Sequence, residues 1–216
     1  IAVFGLFSED CSSESCEDLR KNPAWEKLKY YRIPRPYEYG ENLKNGFDYA
    51  IEKGFDYVVV LRGDATYDPA YVPLLFLSAL LTRSPVVIGD RMGAAARGRS
   101  EASGSGVRRW ANRMLSRVEE FILRMGLRDY HSGYRLLSTE VLKRIPYGLN
   151  VGDYLFDLQL LIQLRCLGIG ICTATVPDFH DLTVRLGTAA RSAWRAIRIA
   201  IGYRLHQLHI IRRAVY

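Results

Sequence analysis

No acidic residue follows Asp181, yet seven arginines do: Arg185, Arg191, Arg195, Arg198, Arg204, Arg212 and Arg213. The chain of 216 residues carries 30 Lys and Arg against 23 Asp and Glu. Residues 1–181 are therefore balanced, and the whole excess of +7 lies in the tail. A segment of one sign attached to a neutral body fits an anionic partner, either a membrane or a nucleic acid. Cysteine is scarce as well: Cys11, Cys16, Cys166 and Cys172 are too few and too scattered for a disulfide scaffold. Their spacings make no zinc knuckle and no histidine pair completes one, so buried or incidental thiols in a reducing compartment are expected. Long hydrophobic runs are missing too. The longest uncharged one, Tyr71 to Leu81, falls well short of the roughly 20 residues needed to cross a bilayer. No signal peptide opens the chain, and its start at Ile1 without an initiator Met reads as that of a fragment. What is there is ordinary: 49% hydrophobic and 25% charged residues exclude a disordered or low-complexity chain. The length fits one domain with an appendage.

Apolar runs and helical periods alternate along the sequence. Ile1–Phe7, Lys29–Ile33, Tyr57–Leu61, Pro85–Gly89 and Ile169–Val176 read as strands, and the β-branched run Tyr57–Leu61 as one buried on both faces. Helices are expected at Glu14–Lys21, Asn42–Lys53, from Asp68-Pro69 onward, at Val107–Met125 and at Leu155–Leu167. This alternation predicts an α/β fold with a mostly parallel sheet flanked by helices. Residues 92–107, rich in Gly, Ala, Ser and Arg, read as a long functional loop. In the helix after it, Trp110, Met114, Val118, Phe121 and Met125 form a stripe expected to pack into the core, with the arginines beside it on a solvated face. From Ala189 onward Trp194, Ile197, Ile201, Leu205 and Leu208 recur on one side of a helix studded with arginine. Two units follow: residues 1–181 as an α/β domain and 182–216 as a basic amphipathic tail.

In open parallel sheets ligands sit beyond the carboxyl ends of the strands. Two such ends carry acids, Glu9-Asp10 and Gly63-Asp64, and a Gly beside an Asp offers a hard oxygen ligand for a cation carrying a diphosphate. Asn42 to Ala50 and Asp56 to Pro69, with Arg62-Gly63-Asp64 within them, resemble family 2 glycosyltransferases of the GT-A fold. The branch most like them contains the dolichol-phosphate mannosyltransferases and polyprenyl-phosphate glycosyltransferases. Val87 to Arg91 is similar to that family's "IGSR" strand end, Asp129 to Arg135 to its "D-x-x-SG-[FY]-R" motif, and Phe156 to Gln159 to the helix closing the site.

The resemblance implies a GT-A, Rossmann-like mixed sheet and transfer, with inversion, from GDP-mannose or a UDP-hexose to a polyprenyl or dolichyl phosphate. It implies Mg²⁺ or Mn²⁺ at Asp64, orienting or base duty for Asp129, and phosphate contacts for Arg91 and Arg135. Asp10, Arg62, Arg109, Arg113, Ser132 and Gly133 complete the expected substrate-binding set. A lipid phosphate is largely anionic near neutral pH, so it needs cations more than a strong base. The basic tail would hold the protein at the cytoplasmic membrane face, and no nucleic acid is expected as partner. Two departures from the family pattern stand out. Arg62 occupies the first acidic position of the family's D-x-D, and Asp10 to Ser15 fits its second strand end, which leaves the first strand out of the chain. A catalytically degenerate nucleotide-sugar-binding protein is the alternative, with a basic nucleic-acid-binding protein behind it.

Overall fold

The computed structural model describes residues 3–7, 28–32, 38–61, 67–96, 106–177, 186–212 and 214–216, with side chains from residue 38 on except 94–112, 186–190 and 192. Asp10, Arg62 and Asp64 and the helix expected at Glu14–Lys21 lie outside these residues, as does the side chain of Arg109.

Two strands open the chain, β1 (Val3–Phe7) and β2 (Leu28–Arg32), paired in parallel from Val3 opposite Leu28 to Phe7 opposite Arg32. Helix α1 (Tyr39–Glu52) follows and buries Phe47 and Ala50. Next come β3 (Tyr57–Val60), a single 3-10 turn at Pro69–Tyr71, and α2 (Val72–Thr82). Pro73 is tolerated there because the first turn of a helix has no use for its N–H. The turn is capped by Asp68, whose carboxylate accepts the Ala70 N–H at 2.8 Å. Then follow β4 (Val86–Asp90), the short α3 (Arg91–Ala96), α4 (Gly106–Leu123), β5 (Arg135–Ser138) and α5 (Thr139–Leu142). The chain ends with α6 (Phe156–Cys166), β6 (Cys172–Thr175) and α7 (Leu186–Gln207).

The larger sheet has the order β3-β5-β4-β6. Strand β5 runs antiparallel to both β3 and β4, and β6 runs parallel to β4. The fold is thus a mixed α/β, Rossmann-like sheet of the GT-A type, with an antiparallel strand inside it that the α/β alternation of the sequence did not announce. Residues on β4 alternate between two cores, as the two-residue period of a strand requires. Val86 and Ile88 join Leu137, Phe47, Phe156 and Tyr203 on one face. Val87 joins Leu136, Ala174, Leu75 and Ala79 on the other. Only Val60 of β3 is fully buried and Tyr57 to Val59 are half-buried, so β3 is less enclosed than its β-branched sequence implies.

Helix α6 is buried on every side from Phe156 to Leu164, as an all-round apolar helix must be. Its polar residues find partners inside: Gln163 donates to Asn150 Oδ1 at 2.8 Å, to the Pro146 carbonyl at 3.1 Å and to the Val215 carbonyl at 3.0 Å. The last bond ties the end of the chain to the core. Helix α7 joins the same core through Ala196, Ala200 and Tyr203, so the basic tail is packed onto the body of the fold.

One expectation is reversed. The middle of the apolar stripe of α4 does not face the core: Met114 is 37%, Val118 39% and Phe121 77% exposed, whereas Met125 packs against the core and the side chain of Trp110 lies outside the described residues. The inward face carries Ser116, Glu119 and Leu123 instead, all buried. Periodicity finds a stripe but does not say which side of the helix meets the protein, and here a buried charge pair decides it.

Candidate active site at the carboxyl edge of the sheet

Because β3 and β4 both run antiparallel to β5, they are parallel to each other and to β6. Their carboxyl ends therefore share one edge with the amino end of β5. Leu61, Asp90 to Gly93, Asp129 to Tyr134 and Thr175 to Val176 converge there. This is the edge at which such sheets bind ligands.

Arg91 leaves the end of β4 and meets Asp129 in a two-point ion pair, Nε to Oδ2 at 2.7 Å and a terminal nitrogen to Oδ1 at 3.0 Å. Asp129 is 3% exposed. Burial alone would raise its pKa, but the Arg91 guanidinium outweighs burial and holds the carboxyl below the usual aspartate range. The guanidinium also lies 5.7 Å from the centre of the Tyr67 ring, within reach of a cation–π attraction. Tyr67 Oη accepts the Gly133 N–H at 2.8 Å, and Ser132 Oγ accepts the Tyr134 N–H at 3.3 Å. Ser132, buried completely, and Gly133 thus form the backbone wall of the site. Desolvation raises the Tyr67 hydroxyl, which stays protonated at neutral pH.

Beneath this wall lies Arg135, only 1% exposed. Its nitrogens donate to the carbonyls of Ser132 at 2.8 Å, Asp157 at 3.0 Å and Tyr130 at 3.3 Å, and one of them pairs with Asp157 Oδ1 at 3.2 Å. Asp157 in turn accepts the Tyr39 hydroxyl at 2.9 Å. Arg135 therefore serves the protein's own loop and does not present its guanidinium to a phosphate as expected. The side chain found there is a brace for residues 130–132.

A second ion pair backs the first. His131 Nε2 lies 3.0 and 2.9 Å from the two oxygens of Glu119, whose side chain has no exposure. One ring proton serves both oxygens, and Oε2 ends without a well-formed hydrogen bond, as does the buried Ser116 hydroxyl one turn away. Burial alone would depress the His131 pKa, but Glu119 more than offsets this and it rises above 6.5. Next to it, the Glu120 carboxylate accepts the N–H groups of Met125, Gly126 and Leu127 and the Tyr130 hydroxyl at 2.6 Å. It closes the end of α4, where Arg124 and Gly126 take positive φ.

Of the expected residues, Arg91, Asp129, Ser132 and Gly133 come together at the edge and Arg135 stands behind them, while Arg113 is exposed on α4. Glu119 and His131 were not anticipated as a pair. The signal lay in the sequence as an acid on the face of α4 opposite its apolar stripe. Among the described residues no group of three or more His, Cys, Asp or Glu side chains is placed to hold a metal ion.

Polyprenol monophosphomannose synthase of Mycolicibacterium smegmatis is 27% identical over 139 residues, 61% of this chain and 48% of that protein. The chain thus spans about half the length of that curated relative. Among solved structures, glucosyl-3-phosphoglycerate synthase from Mycobacterium tuberculosis with Mn²⁺, UDP and glucosyl-3-phosphoglycerate superposes with a TM-score of 0.63 at 18% identity. The match covers 99% of this chain and 70% of that one. The same synthase with Mn²⁺, UDP-glucose and phosphoglyceric acid gives 0.61 at 19% identity, over 92% and 68% of the two chains. Glycosyl transferase family 2 matches residues 7–146, which hold β3, β4, the Arg91–Asp129 pair and the Ser132-Gly133 wall, and the chain belongs to that family.

Proposed function

We propose that this chain carries the catalytic domain of a glycosyltransferase that moves a sugar from a nucleotide-diphosphate donor to a phosphate-bearing acceptor, a polyprenyl phosphate. The observation that carries the acceptor class is the state of the acids. Asp129 is tied to Arg91, Glu119 to His131 and Asp157 to Arg135. Asp68 and Asp90, also near the edge, accept the backbone N–H groups of Ala70 at 2.8 Å and Gly93 at 3.1 Å. An acceptor already ionised near neutral pH asks for no carboxylate to take a proton.

Arg91 supplies positive charge at the edge, and Asp129 fixes the plane of its guanidinium. The Ser132-Gly133 wall, held by Tyr67 and Arg135, sets the distance between donor and acceptor, since alignment of the reacting oxygen behind the anomeric carbon dominates such a transfer. Asp64 is the carboxylate we assign to a divalent cation, Mg²⁺ or Mn²⁺. A bound divalent ion supplies charge to the leaving diphosphate. Arg62, two residues before it in sequence, adds a permanent positive charge beside it. Asp10 and Arg109 remain assigned to the substrates.

The lipid acceptor draws support from the polyprenol-utilising relative and from the basic tail, which fits attachment at an anionic membrane surface. A second reading, transfer to a small water-soluble phosphate, draws on the likeness to the phosphoglycerate-utilising synthase. The test is transfer of labelled sugar from GDP-mannose and UDP-glucose, with Mn²⁺, to a short polyprenyl phosphate and to 3-phosphoglycerate in parallel. Product on the lipid alone, lost in Asp64→Ala, is the expected outcome. Product on phosphoglycerate alone selects the second reading. Donor binding without transfer to either marks a degenerate enzyme.

A further inference from the structure

Helices α4 and α7 lie side by side, with the Arg204 guanidinium donating to the Ile122 carbonyl. Each buries one face in the same core and turns the opposite face outward. On α4 the inward residues are Ser116, Glu119 and Leu123, and the outward ones Met114, Val118 and Phe121. On α7 the inward residues are Ala196, Ala200 and Tyr203, and the outward ones Trp194 at 60% and Ile201 at 44% exposure, with Leu208 at 68% just past its end. Large apolar side chains left exposed on both helices make a second surface to cover.

Arginines border both stripes. Arg113, Arg117 and Arg124 flank the α4 stripe and Arg191 and Arg198 the α7 stripe, all exposed. The acids of α4 cannot neutralise them from outside. Glu119 is wholly buried against His131, and Glu120 is spent on the backbone N–H groups of residues 125–127. Apolar stripes bordered by cations complement the acyl boundary and headgroups of an anionic bilayer. The contrast with α2 is informative. Its Leu77, Leu80 and Leu81 are also exposed, on the opposite side of the sheet, but that helix holds no charged residue. A flat membrane meets one side of the protein, and the arginines mark which.

We infer that α4 and α7 together form a two-helix docking face for an anionic lipid surface, with Phe121 and Trp194 as its apolar anchors. The inference rests on the membrane part of the proposed function and extends it from the tail to α4, the helix that also holds Glu119 under the site. Docking through α4 puts the carboxyl edge of the sheet next to the surface that would supply a lipid phosphate.

The experiment is sedimentation of the full chain with phosphatidylcholine vesicles, with and without phosphatidylglycerol. Wild type is expected to bind the anionic vesicles, to release them as salt rises, and to show a blue shift of tryptophan emission that Trp194→Phe reduces. Met114→Ser with Phe121→Ser should weaken partitioning by about tenfold or more. Arg113→Gln and Arg117→Gln should weaken it on the order of fivefold each. Thermal melting should stay unchanged in all of these, because the side chains are exposed. If wild type ignores both vesicles, the inference and the membrane reading fall together. If wild type binds, Trp194→Ser with Ile201→Ser abolishes binding and the α4 variants bind normally, the tail acts alone and only the inference is overturned. Self-association broken by the α4 variants, without vesicle binding, overturns it in favour of a second copy of the chain. Salt-sensitive retention on duplex DNA without vesicle binding overturns it as well.

Discussion

Arg91 and Asp129, 38 residues apart in sequence, share two charge-assisted hydrogen bonds of 2.7 and 3.0 Å at the end of β4. The pair fixes Arg91 by its Nε edge and makes Asp129 an anchor, because a carboxylate so paired gives up its capacity to take a proton. Asp129→Ala leaves a partly buried guanidinium uncompensated and should cost about 3 kcal/mol of stability. Asp129→Asn keeps the shape and should cost less. If Asp129 orients Arg91, both variants lower kcat and a chemically similar drop follows Arg91→Lys, which keeps the charge but cannot reproduce the fork. Urea unfolding combined with steady-state kinetics tests this. A pH–rate profile whose acidic limb disappears in Asp129→Asn would instead identify Asp129 as a general base.

Arg135 is the largest fully buried side chain of the molecule's described part, and three carbonyls plus the Asp157 carboxylate engage four of its five N–H donors. Arg135→Gln should destabilise the protein by about 3 to 5 kcal/mol, because it orphans Asp157 and frees the 130–132 backbone. Arg135→Lys should recover only part of this. The discriminating measurement is the Michaelis constant of whatever folded protein Arg135→Lys yields. A brace alters kcat and KM together by shifting the Ser132-Gly133 wall, whereas a direct phosphate ligand would chiefly raise KM.

How much of this was legible beforehand follows from where each feature is encoded. Strands β3 and β4 and helix α6 were readable because Tyr57–Val60, Val86–Ile88 and Phe156–Leu164 are mostly apolar runs of the right length, although β3 proves only half-buried. Strand β5 was not, since Leu136 and Leu137 are too short a run, and it exists by pairing with Val60 on one side and Ile88 on the other. An arginine at that crossing is intelligible only through Asp157, 22 residues later. The facing of α4 was misread for the same kind of reason. Its apolar stripe is local, but the Glu119–His131 pair that turns the helix round is not. The motif residues Arg91, Asp129, Ser132 and Gly133 were legible as a group, while the division of labour among them depends on partners that spacing cannot name.

His131 offers a test by pH. Burial lowers its pKa, but Glu119 and Asp129 raise it by more, with Arg91 opposing, so the folded-state value lies above 6.5. A group whose pKa is raised on folding contributes stability that is complete below its unfolded value and is lost as pH rises through the folded value. Unfolding free energy should therefore decline from mildly acidic to mildly alkaline pH, and His131→Gln should flatten that decline. Glu119→Gln should flatten it too, by removing the anion that raises the histidine. A slope unchanged in both variants would exclude the pair as its source.

Tyr67 is tied to the motif loop through its hydroxyl, which accepts the Gly133 N–H at 2.8 Å and also bonds the Ser132 side chain. Tyr67 is 3% exposed and its ring packs 5.2 Å from that of Tyr134, so Tyr67→Phe keeps the packing and deletes the hydroxyl's bonds. The Gly133 N–H is then buried without a partner, which should cost about 1 to 3 kcal/mol. Because Asp64 lies three residues before Tyr67 in sequence, the same deletion loosens the link between that segment and the Ser132-Gly133 wall. Transfer should therefore slow at saturating donor and acceptor while donor affinity, measured by calorimetry with the nucleotide diphosphate, changes little. A fall in nucleotide affinity with kcat preserved would place Tyr67 in the nucleotide pocket instead of between the two loops.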